Sequence, residues 1–238
     1  MPVAIAVAVA FATRSATARR CAGALAAASG IVVAHVVVVG VPRLPPIDTI
    51  GWIPFAAAVT CVGLLVEPRP VVRLVVTFVV ATIAIRLVGR PVWHSAIDAA
   101  PWALLVGAGT TAIDASLVVA SRRMPPAGVL LAFAMTMAGG SIACLFGHSA
   151  LLAQVLGASA AVIGASGVVA IFVTPAKTPA KTIASIAAVS AVAVMAYASL
   201  YATLSTVVVV LLVGSAVAPI VAAALPVTPR ARAVVAVA

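Results

Sequence analysis

The chain has 238 residues, of which 65% are hydrophobic and only 8% are charged, with a net charge of +10. Proteins that fold in water carry roughly 25% charged residues, so this composition, with a mean hydropathy of +1.33, excludes a soluble fold. It predicts an all-α integral membrane protein, a polytopic bundle of transmembrane helices. Nucleic-acid binding is also excluded, because the basic residues stand singly or in pairs between apolar runs and form no patch with aromatic side chains.

Apolar runs long enough to cross a hydrocarbon core of about 30 Å follow one another along the chain. We predict a short cytoplasmic or interfacial segment at 1–20, the transmembrane helical bundle at 21–225 and a cytoplasmic tail at 226–238. Prolines mark most of the connections between the runs. The bundle contains about eight predicted spans, at 21–41, 49–66, 71–88, 100–120, 127–146, 149–173, 182–202 and 204–225.

Basic and aromatic residues predict the same orientation of these spans. With a cytoplasmic amino terminus, only Arg43, Arg86 and Arg90 of the 14 Lys and Arg residues lie on the outer side, as the positive-inside rule expects. All three tryptophans then lie at outer helix ends or in the outer loop, where interfacial aromatic residues are common. We therefore predict that both termini are cytoplasmic. The composition, rich in Ala, Val and Arg, further suggests the inner membrane of a bacterial cell.

Asp114 is the most informative residue of the chain. It lies inside the fourth span, where an ionised carboxylate costs about 2.5–3.5 kcal/mol on insertion scales. Gly107, Thr111 and Asp114 share one helix face, and such a small, polar stripe is typical of a contact between helices. We interpret Asp114 as a candidate ion or proton site, with Thr110 or Thr111 supplying a neighbouring hydroxyl group. The alternative is a structural carboxylate near the inner interface, either protonated or paired with an arginine.

Small residues predict where helices approach each other closely. Gly157, Ala161 and Gly164 share one face of the sixth span, and small side chains let backbones come together in lipid. We predict that these three residues and Gly107 are helix-packing positions, and that the sixth span lies centrally in the bundle. Arg73 lies near one end of the third span, where its long side chain can extend to the lipid headgroups.

The histidines and cysteines do not indicate a metal site or a cofactor. There are three of each, and none has the spacing of metal ligands. His94, His148 and Asp98, with Asp48, can meet at the outer face, where they would form a metal or proton entry site. His35 and Gln154 can meet at similar depth. We interpret both sets as polar contacts without a function.

One short string resembles a catalytic motif. Residues 164–167, Gly-Ala-Ser-Gly, resemble the GxSG motif around the nucleophile of rhomboid intramembrane proteases. A rhomboid serine needs a histidine base from a later helix, and no histidine follows Ser166 in the sequence. We therefore predict no catalytic residue and interpret Ser166 as a packing residue that bonds to its own helix backbone.

Two functions are compatible with these features. The first is a small-solute or ion permease component, and the alternative is a structural or assembly subunit that packs against partner membrane proteins. A third, less favoured, is an intramembrane enzyme acting on lipid or polyprenyl substrates. A polar cavity reaching Asp114 would favour transport, and a solid Ala/Val/Gly core would favour a subunit. The expected partners are the lipid bilayer and either other membrane subunits or a second copy of the chain.

Overall fold

A computed structural model describes residues 16–42, 46, 49–66, 70–93, 95–172 and 177–201, together with 207–208, 211 and 214–215. The described residues contain α-helices and no strand, so the all-α prediction is confirmed for this part of the chain. A short 3-10 helix, Thr49–Gly51, precedes the second α-helix. The seven α-helices are α1 Ala16–Val38, α2 Trp52–Val66, α3 Pro70–Val88, α4 Ala96–Arg123, α5 Pro126–Phe146, α6 Ala150–Phe172 and α7 Lys177–Tyr201.

Six of these helices are long and apolar enough to cross a membrane, which is compatible with a membrane protein. The exception is α2, whose apolar part, Trp52–Leu65, is shorter than the apolar stretch of each of these six helices. The predicted eighth span at 204–225 and the two predicted terminal segments lie largely outside the described residues. The apolar stretches are Cys21–Val38, Val71–Val88, Ile97–Ala120, Pro126–Phe146, Ala150–Phe172 and Thr182–Tyr201.

Helices α1 to α6 surround α7. Each contacts the next one in chain order, α6 contacts α1, and α7 contacts all six. In its membrane span 78% of the residues are buried, against at most 50% in the other spans. Residues 183–198 of α7 are mostly Ala, Val and Ser, and such small side chains allow six neighbours to approach one helix.

The central position expected for the sixth span therefore belongs to α7. Helix α6 lies in the surrounding ring, where it contacts α5, α1 and α7. Both helices are rich in small residues, but α6 also carries large apolar side chains that are exposed, such as Leu151, Ile171 and Phe172. Helix α7 has neighbours all round, so it has no face left for lipid.

The two ends of the bundle differ in composition. We call the end where α2 and α4 begin and α3 and α7 end the tryptophan end, because Trp52, Trp93 and Trp102 lie there. At this end the Tyr201 hydroxyl donates a hydrogen bond to the carbonyl oxygen of Val88, at 2.8 Å. This bond joins the end of α7 to the end of α3.

Candidate functional site

Asp114 lies in α4 at a point where α3, α4 and α7 meet. Its side chain is fully buried, and it forms an ion pair with Arg73 of α3. The Arg73 Nε donates to Oδ2 at 3.1 Å, and Nη2 donates to Oδ1 at 3.0 Å. Two parallel bonds of this kind fix the orientation of both groups and are among the stronger hydrogen bonds in proteins. The carboxylate charge is thus neutralised inside the bundle.

Two hydroxyl groups complete the surroundings of the carboxylate. Ser185 of α7 donates to Oδ1 at 2.6 Å, and Thr77 of α3 donates to Oδ2 at 3.4 Å. Thr77 follows Arg73 by four residues, so both project from one face of α3. Each carboxylate oxygen therefore accepts one bond from the guanidinium group and one from a hydroxyl group. We call Arg73, Thr77, Asp114 and Ser185 the carboxylate network.

The two threonines predicted to neighbour Asp114 bond elsewhere. The Thr110 hydroxyl donates to the Val106 carbonyl oxygen at 2.7 Å, and the Thr111 hydroxyl donates to that of Gly107 at 2.8 Å. Hydroxyl groups inside helices commonly bond to the preceding turn in this way. The structure does not bring either hydroxyl to the carboxylate, because Thr77 and Ser185 supply the hydroxyl bonds from neighbouring helices.

Arg73 differs from its expected role. It lies in the first turn of α3, but its side chain is only 14% exposed and points to Asp114 instead of extending to the headgroups. The sequence analysis includes the alternative that Asp114 pairs with an arginine, but it does not identify Arg73 as that arginine. A signal was present: Arg73 and Thr77 form a polar pair on one face of an otherwise apolar span, and an antiparallel neighbour places that pair near the depth of Asp114.

The predicted packing residues have different surroundings. Gly107 is buried, and a Cβ there would overlap the Thr82 side chain of α3. A Cβ at Gly157 would lie 3.1 Å from Ser141 Oγ, and one at Gly164 would lie 3.6 Å from Ala134 Cβ, both in α5. Ala161 is exposed on α6. Thus Gly107 allows a close approach of α3 and α4, while Gly157 and Gly164 face α5.

Gly167 is a close-packing position that the sequence reasoning missed. It is buried, and a Cβ there would lie 2.9 Å from Leu131 Cγ of α5. Its neighbour Ser166 is also buried, and its hydroxyl donates to the carbonyl oxygen of Val162 at 2.9 Å. This bond is the packing role predicted for Ser166.

A cavity of about 280 Å³ lies between α3, α4 and α7, towards the tryptophan end. Its wall is almost entirely apolar and does not include Asp114, so it is not the polar cavity reaching Asp114 that would have favoured transport. Thr110 and Ile113 are the lining residues nearest to Asp114 along α4, four residues and one residue before it. Gly109 leaves open space, since a Cβ there would meet no atom within 4 Å. The lining residues are Ile85, Trp93, Trp102, Leu105, Val106, Gly109, Thr110, Ile113, Val192, Met195, Ala196, Ser199 and Leu200.

Among the described residues, the remaining polar candidates show no hydrogen bond to one another. His35 is buried and neither ring nitrogen has a hydrogen-bond partner, whereas Gln154 is exposed, so the expected contact between them is absent. Asp98 is exposed and accepts a hydrogen bond from the Ser95 hydroxyl at 2.7 Å, and both His94 and Asp48 lie outside the described residues. Within the described ranges, no group of three or more metal-binding side chains is found.

Comparison with known proteins finds no family model, no curated protein and no solved structure that matches this chain. The function must therefore be argued from the geometry of the carboxylate network and the cavity.

Proposed function

We propose that the protein is a permease component for small, mostly apolar solutes, in which the Arg73–Asp114 pair closes a path that begins in the cavity. The observation that carries this proposal is that α3, α4 and α7 provide both the cavity wall and the carboxylate network. Ionisable residues inside membrane spans are rare, usually pair with one another and mark pathways through the bundle.

The chemistry of the cavity supports an apolar solute over an ion. Most of its wall is hydrocarbon, and the hydroxyl groups of Thr110 and Ser199 are already bonded to backbone carbonyl oxygens. An ion entering this space would lose its hydration without gaining replacement bonds, which is costly. A small molecule with a large apolar surface would lose much less.

The position of the ion pair supports a closing role. Ile113 lines the cavity, and the next residue in α4 is Asp114. The pair joins α3 to α4, and the Ser185 bond joins α4 to α7. Movement of any of these helices away from the others requires these bonds to break. In the predicted orientation, the cavity would face the outer side of a bacterial inner membrane and the pair would close the cytoplasmic side.

A second candidate function is a structural or assembly subunit of a larger membrane complex. The observation that favours it is the saturation of Asp114, whose two oxygens accept four hydrogen bonds from three partners. A network of this kind can fix the positions of helices without any movement. In that role the exposed apolar surfaces of the ring would contact partner subunits.

Side-specific chemical labelling separates the two functions. In a background with Cys21, Cys61 and Cys144 replaced by Ala, a single Gly109→Cys substitution places a thiol in the cavity. Sealed vesicles are then treated from one side at a time with a thiol reagent whose reactive end is uncharged and whose other end carries a polar group that makes it membrane-impermeant. For a permease closed by the ion pair, we expect labelling from the tryptophan end only, and Asp114→Asn should add labelling from the opposite end.

Matched variants distinguish a change of access from a loss of folding. Asp98→Asn makes the same chemical change at an exposed carboxylate and should leave the labelling pattern unchanged. Arg73→Lys keeps the charge but loses the paired bonds, so it should give partial access from the opposite end. If folded Asp114→Asn protein is labelled exactly as the parent is, the closing role is refuted and the structural function is favoured.

A further inference from the structure

We propose that the cavity binds a hydrocarbon chain of an anionic membrane phospholipid, and that Arg86 and Arg90 bind its phosphate group. In this inference the molecule that enters the cavity is a phospholipid instead of a small solute, and as a substrate class it rests on the proposed permease function. As a binding site, it stands on the chemistry of the cavity and its rim.

The cavity is accessible from the hydrocarbon around the bundle. Two of its lining residues, Trp102 and Leu105, are 48% and 65% exposed, so its wall continues onto the outer surface of α4. In a membrane that surface faces lipid chains, which are as apolar as leucine. The cavity volume of about 280 Å³ lies just below the usual range for binding pockets, about 300–1,000 Å³. A lipid chain can therefore enter sideways without crossing a polar layer.

We place Arg86 and Arg90 at the rim of the cavity because they follow the lining residue Ile85 and precede the lining residue Trp93 along the chain, and their positive charge calls for an anion. Arg86 lies in the last turn of α3, directly after the lining residue Ile85. Its Nη1 is buried and has no hydrogen-bond partner. An unpaired guanidinium nitrogen out of contact with water is costly. Arg90 follows one turn later and is exposed.

No described acidic side chain meets this need. Asp114 is paired with Arg73, and Asp98 accepts its hydrogen bond from Ser95. Trp93, three residues after Arg90, lines the cavity from the same connection. An indole ring at that level is typical of the headgroup region. An acyl chain in the cavity would thus place its phosphate beside two arginines, and we favour a phospholipid over free phosphate because only the lipid fills the apolar space.

Tryptophan fluorescence can test this site directly. Trp52 is not part of this cavity but lies in a separate groove beside Phe55, so a Trp52→Phe background leaves Trp93 and Trp102 as reporters, both in the cavity wall. The protein is reconstituted into bilayers containing phosphatidylglycerol or phosphatidylcholine with identical brominated acyl chains. Bromine quenches indole fluorescence on contact. We expect brominated phosphatidylglycerol to reach half-maximal quenching at an approximately fivefold lower mole fraction than brominated phosphatidylcholine. This is the factor expected for one basic residue meeting an anionic lipid.

Three variants assign that preference to the cavity and its rim. Gly109→Leu fills the open space and should abolish the preference, whereas Ala108→Leu, at an exposed neighbouring position of the same helix, should retain it. Arg86→Gln should weaken the preference for phosphatidylglycerol, since Arg90 remains, and retain quenching by both lipids. Equal quenching by the two lipids in the parent protein, or an unchanged preference in Gly109→Leu, would overturn the proposal. If Gly109→Leu does not fold, an unchanged preference in Arg86→Gln is equally decisive against it.

The outcome is independent of the test of the permease. If the parent protein prefers phosphatidylglycerol but Asp114→Asn does not change the access of the thiol reagent to the cavity, the lipid site is retained and the permease function is not. A change of access without any lipid preference would retain the permease and remove the phospholipid as its substrate class.

Discussion

Replacing Asp114 by Ala should destabilise the folded protein more than the loss of either hydroxyl group in the carboxylate network. The substitution leaves the Arg73 guanidinium, only 14% exposed, without its counter-charge inside the bundle. Breaking a buried ion pair by removing one partner typically costs about 3–5 kcal/mol. Ser185→Ala removes one short bond to a charged group and should cost about 1.5–3 kcal/mol. Thr77→Val removes a 3.4 Å contact and should cost less than about 0.5 kcal/mol.

The double variant Arg73→Met with Asp114→Leu distinguishes an ion pair from two independent residues. Replacing a whole buried pair by apolar side chains is often neutral or stabilising by about 1–4 kcal/mol. We therefore expect the double variant to be at least as stable as the parent, although each single variant is destabilised.

The cycle compares the parent, Arg73→Met, Asp114→Leu and the double variant. The free energy of unfolding of each is measured in mixed micelles from the loss of helical circular dichroism. Thr111→Val serves as the control, because the Thr111 hydroxyl bonds only to its own helix. If the costs of the two single substitutions simply add in the double variant, Arg73 and Asp114 are not coupled and the reasoning is refuted.

The remaining predictions concern close packing and one bond at the tryptophan end, and the same unfolding assay measures them. Gly107→Ala should cost about 1–3 kcal/mol, because its Cβ would overlap a side chain of α3. Gly109→Ala should instead stabilise the protein by about 0.5–1 kcal/mol, since its Cβ meets open space. Equal effects of the two substitutions would contradict the described α3–α4 contact. Gly167→Ala should be more destabilising than Gly164→Ala, whose Cβ would make an ordinary contact at 3.6 Å, and the reverse order would contradict the packing of α6 on α5. Tyr201→Phe removes a bond between the ends of α7 and α3 and should cost about 0.6 kcal/mol; no measurable loss would mean that the bond does not form.

The sequence was sufficient to predict the helices and the burial of Asp114. Apolar runs bounded by prolines gave the positions of the seven described helices, because a membrane span needs about 20 apolar residues in a row. The face shared by Gly107, Thr111 and Asp114 indicated a helix contact, since a carboxylate facing lipid is strongly disfavoured. Gly107 lies at such a contact with α3.

The partners of Asp114 could not be predicted in the same way. The spacing of residues shows which ones share a face of one helix, but it does not show which helices are neighbours. Ser185 is 71 residues from Asp114 along the chain, and nothing local to either residue identifies the other. The threonines nearest in sequence were therefore considered, although hydroxyl groups inside a helix can bond to the preceding turn of their own helix.

The central helix was missed for a related reason. The prediction of a central sixth span rests on one stripe of small residues, and such a stripe marks a single contact between two helices. Helix α7 contacts six helices, so its small residues are spread around the whole circumference. Because the whole sequence is rich in Ala and Val, small residues spread evenly round one helix do not distinguish that helix from the others.

The claim on which the whole account rests is that the tryptophan end and the opposite end of the bundle face different sides of a membrane. Single cysteines at Arg122, near the end of α4, and at Ser149, between α5 and α6, test it in a background without the native cysteines. In sealed, right-side-out vesicles, an impermeant thiol reagent should label Ser149→Cys from outside and Arg122→Cys only after the vesicles are opened. Labelling of both positions from the same side would contradict the account.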